Sequence, residues 1–298
     1  FEDDSGITTE TTVDRNTTGE YVSSITGTVV DSNTLLLVQS NTVTDGSTTF
    51  TDDSPSNRTV TVNGNTQHDT AVKKTGTSSM LFDGSGDYLS VPDSNDFAFS
   101  GDHTIEAWIY PTSWSSAQRV FSTGPDGSWY DVAYQFGKIE SGLVIEAQIS
   151  NNGGTGITVG PTPAISLNVW THIALVRSGN DWTYYINGVS AATASSSLTV
   201  YNHASNPAIG AQTDGGAPFT GNIDYVRVSD VARYSSSFTP TTEVFGQTVS
   251  ATGTLISDPQ TASTSRTSAS GVIIYEDGAG TNTLGTDLKI YFSCDNST

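Results

Sequence analysis

Residues 170–177 read WTHIALVR, residues 182–186 read WTYYI, and Asn187-Gly188 follows at once. Apolar and polar side chains alternate through both runs, which is the period of a strand that turns one face to a core. Asn-Gly supplies the positive φ angles of a tight hairpin between strand-like runs. Upstream, residues 104–110 place Ile105, Ala107 and Ile109 on one face and Glu106, Trp108 and Tyr110 on the other. Similar runs recur at 35–38, 59–62, 79–82, 88–91, 120–122, 130–136, 143–149 and 222–228, with turns such as Asp83-Gly84, Asp126-Gly127 and Asn152-Gly153 between them. Helical spacing is nearly absent. The pattern predicts an all-β chain that buries its faces in a two-sheet antiparallel sandwich.

Eleven Lys+Arg stand against 31 Asp+Glu, a formal charge of −20. A footprint for a phosphate backbone is hard to build from so few cations, which argues against nucleic acid as a partner. Charged residues make up 14% of the chain, below the roughly 25% of ordinary globular proteins. Ser, Thr, Asn and Gly take their place. The single cysteine, Cys294, cannot close an intrachain disulfide. No apolar run approaches the ~18 residues of a bilayer span, so no membrane insertion is expected. No signal-peptide pattern occurs, and a start at Phe1 reads as a processed or partial chain.

Composition shifts at both ends. Residues 1–30 are acidic and Thr-rich and read as an arm or β segment; 31–245 form the central domain. Residues 246–298 restart the alternation as the beginning of a second small β domain.

Four stretches of the central domain resemble the laminin G-like group of concanavalin A-like lectin and glucanase jelly rolls. They are SMLFDGSGDYLSVP at 79–92, TIEAWIYP at 104–111, WTHIALVR with YYING at 170–177 and 184–188, and FTGNIDYVRVS at 219–229. All four fall in the family's order. The resemblance implies a jelly roll flanked by β segments, of the kind found in phage tail and virion proteins and in bacterial surface proteins. It also implies a structural Ca2+ held by Asp83 and Asp224 with a backbone carbonyl near Gly86, Asp87 being an addition. A Gly-rich turn can aim carbonyl oxygens at a hard cation without a side-chain clash. The competing reading makes Asp83 a turn cap and Asp224 a satisfied strand carboxylate.

Aromatic residues in polar loops are candidates for carbohydrate contact, because a flat ring matches the apolar face of a pyranose while amides bond its hydroxyls. Trp114 lies in PTSWSS, Trp129 and Tyr130 follow GPDGS, and Asn202 stands between Tyr201 and His203. Trp lids folded over the sandwich are the alternative. Glucanases of the superfamily carry Glu-x-Asp-x-x-Glu on one strand so that two carboxyls flank the scissile bond. Here the nearest pair is Glu140 and Glu146, without that motif, and Glu106 stands alone on its strand. His68, His103, His172 and His203 are scattered, and no Gly-x-Ser-x-Gly elbow occurs. Glu106 and His172 therefore read as strand residues with partners.

The expectation is a non-enzymatic virion or extracellular surface protein, of phage tail fibre or decoration type. Its jelly roll binds a cell-surface glycan or polysaccharide, its terminal segments contact other structural proteins, and a homo-oligomer is expected by analogy with fibrous virion proteins. A purely architectural capsid or fibre component, or a secreted bacterial adhesion or carbohydrate-binding module, are the alternatives.

Overall fold

The computed structural model describes residues 7–11, 13–16, 21–24, 30–125, 133–151, 154–246 and 254–257. The backbone divides into two compact units, Val30–Phe245 and a second that joins Phe1–Val29 to Gly246–Thr298. In the second, β1 (Ile7–Thr11) pairs antiparallel with β19 (Thr254–Ser257), and β2 (Val13–Asn16) pairs with β3 (Tyr21–Ser24). Both ends of the chain thus contribute strands to one unit.

The large unit is a sandwich of two antiparallel sheets. One sheet runs β13 (Gly156–Val159), β12 (Ile145–Ser150), β11 (Tyr134–Ile139), β10 (Phe121–Ser122), β17 (Ala208–Ile209), β8 (Tyr88–Ser90), β5 (Thr61–Asn63). The other runs β16 (Val189–Ser195), β15 (Asp181–Ile186), β14 (Thr171–Ser178), β9 (His103–Pro111), β18 (Thr220–Ser229), β7 (Ser79–Asp83), β6 (Gln67–Asp69). An eighth strand, β4 (Thr34–Gln39), joins β18 along Tyr225–Ser229, beyond the stretch of β18 that pairs β7. One turn of 3-10 helix, Asn95–Phe97, is capped by Ser94.

The alternation decides what is buried. Ile105, Ala107 and Ile109 of β9 lie fully inside the sandwich with Phe121, Phe136, Leu175 and Val226. Each large apolar side chain so buried stabilises the fold by about 1.5–3 kcal/mol. The other face of β9 is also covered. Trp108 packs with Leu37, Tyr225 and Phe245, and its Nε1 donates to the Thr241 carbonyl at 2.8 Å. Ala174, Val176 and Tyr185 likewise sit beneath Ala232, Tyr234 and Phe238. Residues 230–245 are therefore a strap across the outer face of the eight-stranded sheet.

β9 and β18 fall out of step once. Ile223 faces Ile109 and Val226 faces Ala107, so Asp224 and Tyr225 together oppose Trp108. Such a bulge re-aims the side chain it carries. The carboxylate of Asp224 is turned to the loop between β6 and β7.

Candidate functional site

The bulge settles where Asp224 spends its oxygens. Oδ2 accepts from the backbone N–H groups of Lys74 and Thr75 at 2.6 and 2.7 Å, and Oδ1 accepts from Thr75 Oγ1 at 2.6 Å. Burial pushes this carboxyl up to about 6 against the pull of those donors. Asp83 faces Thr220 across the β7–β18 pair, four positions along β18 from Asp224, or about 13 Å at strand spacing. Asp83 and Asp224 are not brought together.

Asp83 converges with Asp87 instead. Asp87 Oδ1 accepts from Asn65 N at 2.7 Å and Oδ2 from Asp83 N at 2.9 Å, while Asp83 Oδ1 accepts from Ser85 N at 2.7 Å. The Asn65 amide, turned so that its nitrogen faces the carboxylates, donates to Asp87 Oδ1 at 2.8 Å and to Asp83 Oδ2 at 3.3 Å. Gly86 adopts φ +77 and its carbonyl closes on Gly64. The set Asp83, Gly86 and Asp224 does not fit a calcium ion, which needs several carboxylate and carbonyl oxygens on one point. The sequence could not show this, because the register and bulge of β18 decide it.

Glu106 and His172 do have partners. Arg227 Nε donates to Glu106 Oε1 at 2.6 Å and the Tyr234 hydroxyl donates to Oε2 at 2.8 Å. His172 Nε2 lies 3.2 Å from Oε2 and 3.0 Å from the Tyr225 hydroxyl. Burial pushes Glu106 up, but the guanidinium of Arg227 and the imidazole of His172 pull it down to about 2. Glu106, His172, Tyr225 and Arg227 are buried, and Tyr234 comes from the strap itself. The cluster joins β9, β14, β18 and residue 234, and it offers no approach to a substrate.

Glu140 and Glu146 share one ammonium. Lys138 Nζ lies 2.7 Å from Glu140 Oε1 and 2.6 Å from Glu146 Oε1. The cation occupies the space between the carboxylates where a glycosidic bond would have to enter. Ser40 Oγ stands 2.6 Å from His68 Nδ1, but it also bonds Ser78 Oγ at 2.7 Å, and all three residues are buried. Neither arrangement is a working catalytic pair. Among the described residues no group of three or more His, Cys, Asp or Glu could hold a metal.

The carbohydrate candidates separate. Trp114 is half-buried against the core. Its neighbours are drawn in by Gln118, whose Nε2 donates to the Ser113 carbonyl at 2.8 Å. Trp114 packs as a lid, with its Nε1 buried and without a hydrogen-bond partner among the described residues. Gln118 bridges Ile139 at one end of β10 and β11. At the other end Tyr201 N donates to the Ser150 carbonyl at 2.9 Å, and Ser150 N donates to the Ala133 carbonyl at 2.9 Å. Trp129 and Tyr130 lie outside the described residues.

Asn202 belongs to a built rim at that second end. Its Nδ2 donates to Asn95 Oδ1 at 2.9 Å. Tyr201 and His203 flank it as an edge-to-face pair with centroids 5.8 Å apart, and Ser205 N donates to His203 Nδ1 at 3.0 Å. Asp93 N donates to Asn206 Oδ1 at 3.1 Å, tying the loop after β8 to the loop before β17. Asn95, Asn206 and His203 were not singled out as one site in the sequence, because the two loops are more than a hundred residues apart.

A two-sheet jelly-roll sandwich is the class that this fold defines. A family model for the concanavalin A-like lectin/glucanases superfamily, laminin G type, matches residues 83–237, just over half of the chain. The chain belongs to that superfamily. Among solved structures, it is similar to the binding domain of Paraclostridial Mosquitocidal Protein 1, at 16% identity and TM-score 0.52, over 68% of this chain and 50% of that one. The binding domain of botulinum neurotoxin DC is similar in its complex with SialylT, at 14% identity and TM-score 0.50, over 68% and 48% of the two chains. The same domain in complex with rat synaptotagmin II gives 14% and 0.51, over 69% and 50%. The chain thus spans about half the length of these solved chains, and at such identities the likeness is one of fold. No curated protein matches in sequence. No helix among the described residues is long and apolar enough to cross a membrane.

Proposed function

We propose that the jelly roll is a non-enzymatic glycan-binding module that receives its ligand on the rim of Asn95, Tyr201, Asn202 and His203. The observation that carries this reading is the Asn95–Asn202 amide bridge beside the Tyr201–His203 ring pair. Each amide fixes the other and still has donor and acceptor capacity left for vicinal hydroxyls. The rings supply an apolar platform with polar tips, the composition of sites that hold small polar ligands. The similar structures solved with SialylT and with rat synaptotagmin II support a binding role for the fold.

We place the module in a virion or extracellular surface protein, with the unit built from both termini making contacts to other structural proteins. The acidic, Ser/Thr/Asn/Gly-rich composition supports an exposed setting.

A glycan-array screen of the full chain tests the reading. Asn202→Ala is expected to weaken the retained glycan about tenfold, the worth of one or two hydrogen bonds to a fixed amide, without lowering the melting temperature. No retained glycan on a broad array would move the function to the architectural alternative.

A further inference from the structure

The rim also carries information about the charge of its ligand. Two of its charges are carboxylates: Asp93 and Asp96 are both exposed, on either side of Asn95. The guanidinium that reaches this rim is Arg58, which lies over Phe97 at 5.1 Å. It is already engaged by Asp96 and stands 3.7 Å from Asp52. An acidic sugar could claim Arg58 only by displacing Asp96.

The other described cations make their contacts elsewhere in the jelly roll. Lys138 is shared by Glu140 and Glu146, Arg227 is held by Glu106, and Arg233 is held by Asp31. Arg119 donates to Gln135 Oε1 at 2.7 Å, and Arg177 lies over Trp182. Lys74 lies over Trp108 and Lys73 donates to the Thr70 carbonyl, both on the β6–β7 loop of the opposite sheet. The remaining three of the eleven, Arg15, Arg266 and Lys289, fall in the terminal segments.

We propose that the rim selects neutral saccharides and rejects sialylated, uronic and sulfated ones, a specificity that rests on the glycan-binding reading above. Recognition of a carboxylate or sulfate relies on charge-assisted donors, and the guanidinium that reaches the described rim is already engaged by Asp96. A bound anion would also face Asp93 and Asp96 in a field set by a chain of net charge −20, and like charges brought together oppose association.

The test presents matched neutral and acidic oligosaccharides to the full chain on one array at low salt, where electrostatics is least screened. Neutral ligands are expected to be retained and their sialylated or sulfated counterparts to bind at least about tenfold more weakly. Asp96→Asn, which releases Arg58 at the rim, is expected to raise acidic-ligand binding several-fold. Equal or preferential retention of acidic ligands by the parent chain overturns the specificity and leaves the lectin reading standing. Retention of neither class overturns the lectin reading itself. A parent that prefers neutral ligands but gains nothing in Asp96→Asn overturns the role given to the Asp96–Arg58 pair.

Discussion

His103 and Asp224 are buried titratable groups on neighbouring strands, and acid acts on them in opposite directions. Burial of the His103 ring, stacked on Phe99 at 4.4 Å, lowers it from 6.5 to about 4. The folded state therefore binds fewer protons than the unfolded one, and roughly 3 kcal/mol of stability is lost as pH falls from 6.5 through 4. Burial raises Asp224 from 3.8 to about 6. There the folded state binds more protons, so a contribution of similar size, roughly 3 kcal/mol, is gained as pH falls through 6 toward 3.8. The two slopes offset each other. Glu106, held down from 4.5 to about 2, loses its contribution only below pH 4.5. Urea unfolding at a series of pH values is expected to show a shallow dependence from pH 6.5 to 4 and a fall below it. Asp224→Asn removes one of the opposing slopes and should expose the steeper loss due to His103 over the same window. A parent and variant with the same slope would overturn the assignment. Neither residue's role was legible in the sequence, because the burial that shifts each is created by partners distant in the chain, Phe99 aside.

Among elements, the hairpin is the one read most directly from sequence. Asn187 and Gly188 adopt φ 50 and +76, as an Asn-Gly turn between antiparallel strands requires. Long alternating strands were equally legible: residues 104–110 lie within β9, and 222–228 lie within β18. β6, β13, β16 and β17 were not. β6 and β17 are too short to show a period, and β16, VSAATAS, is an edge strand of small residues with little apolar contrast. The strap left no signal at all, since its backbone follows the sheet surface without a repeat of its own. Gly188 joins the legible element to the illegible one. A Cβ there would stand 1.8 Å from the Phe238 carbonyl oxygen, while Phe238 N donates to the Gly188 carbonyl at 3.0 Å. Gly188→Ala is thus expected to push the strap from the sheet as well as strain the turn, at a cost of about 2–4 kcal/mol. Gly179 makes the control, because φ is +60 but nothing lies within 4 Å of its added Cβ. Its substitution should cost about 1 kcal/mol. Thermal unfolding of the two variants decides the point: equal losses would mean that the strap contact contributes nothing.

For the whole molecule, the fold and the family were legible in four ordered stretches, whereas the site was legible only in its parts. Asn202 and Asp224 could be named from loop and motif chemistry. What each touches depends on loops and strands brought together by the sandwich: Asn95 for one, Lys74 and Thr75 for the other. The largest consequence concerns calcium. In Asp224 the oxygens are occupied by three protein donors, and Asp87 ties Asn65 and Asp83 together through backbone N–H groups. These contacts hold the β6–β7 loop and the turn after β7 with the chain's own donors, which is the task a structural cation would otherwise perform. Binding to the folded state alone raises stability in proportion to ligand occupancy. A molecule that needs the ion should therefore melt lower in chelator and higher in millimolar calcium. Here the melting temperature is expected to move by less than about 1 °C between the two conditions. Asp224→Ala, which strips the acceptor from three donors at once, should lower it by several degrees in both, since buried donors left without a partner cost about 1–3 kcal/mol apiece. A calcium-dependent rise in the parent chain, abolished in Asp224→Ala, would show that Asp224 is a ligand after all and that its present donors give way when the ion arrives.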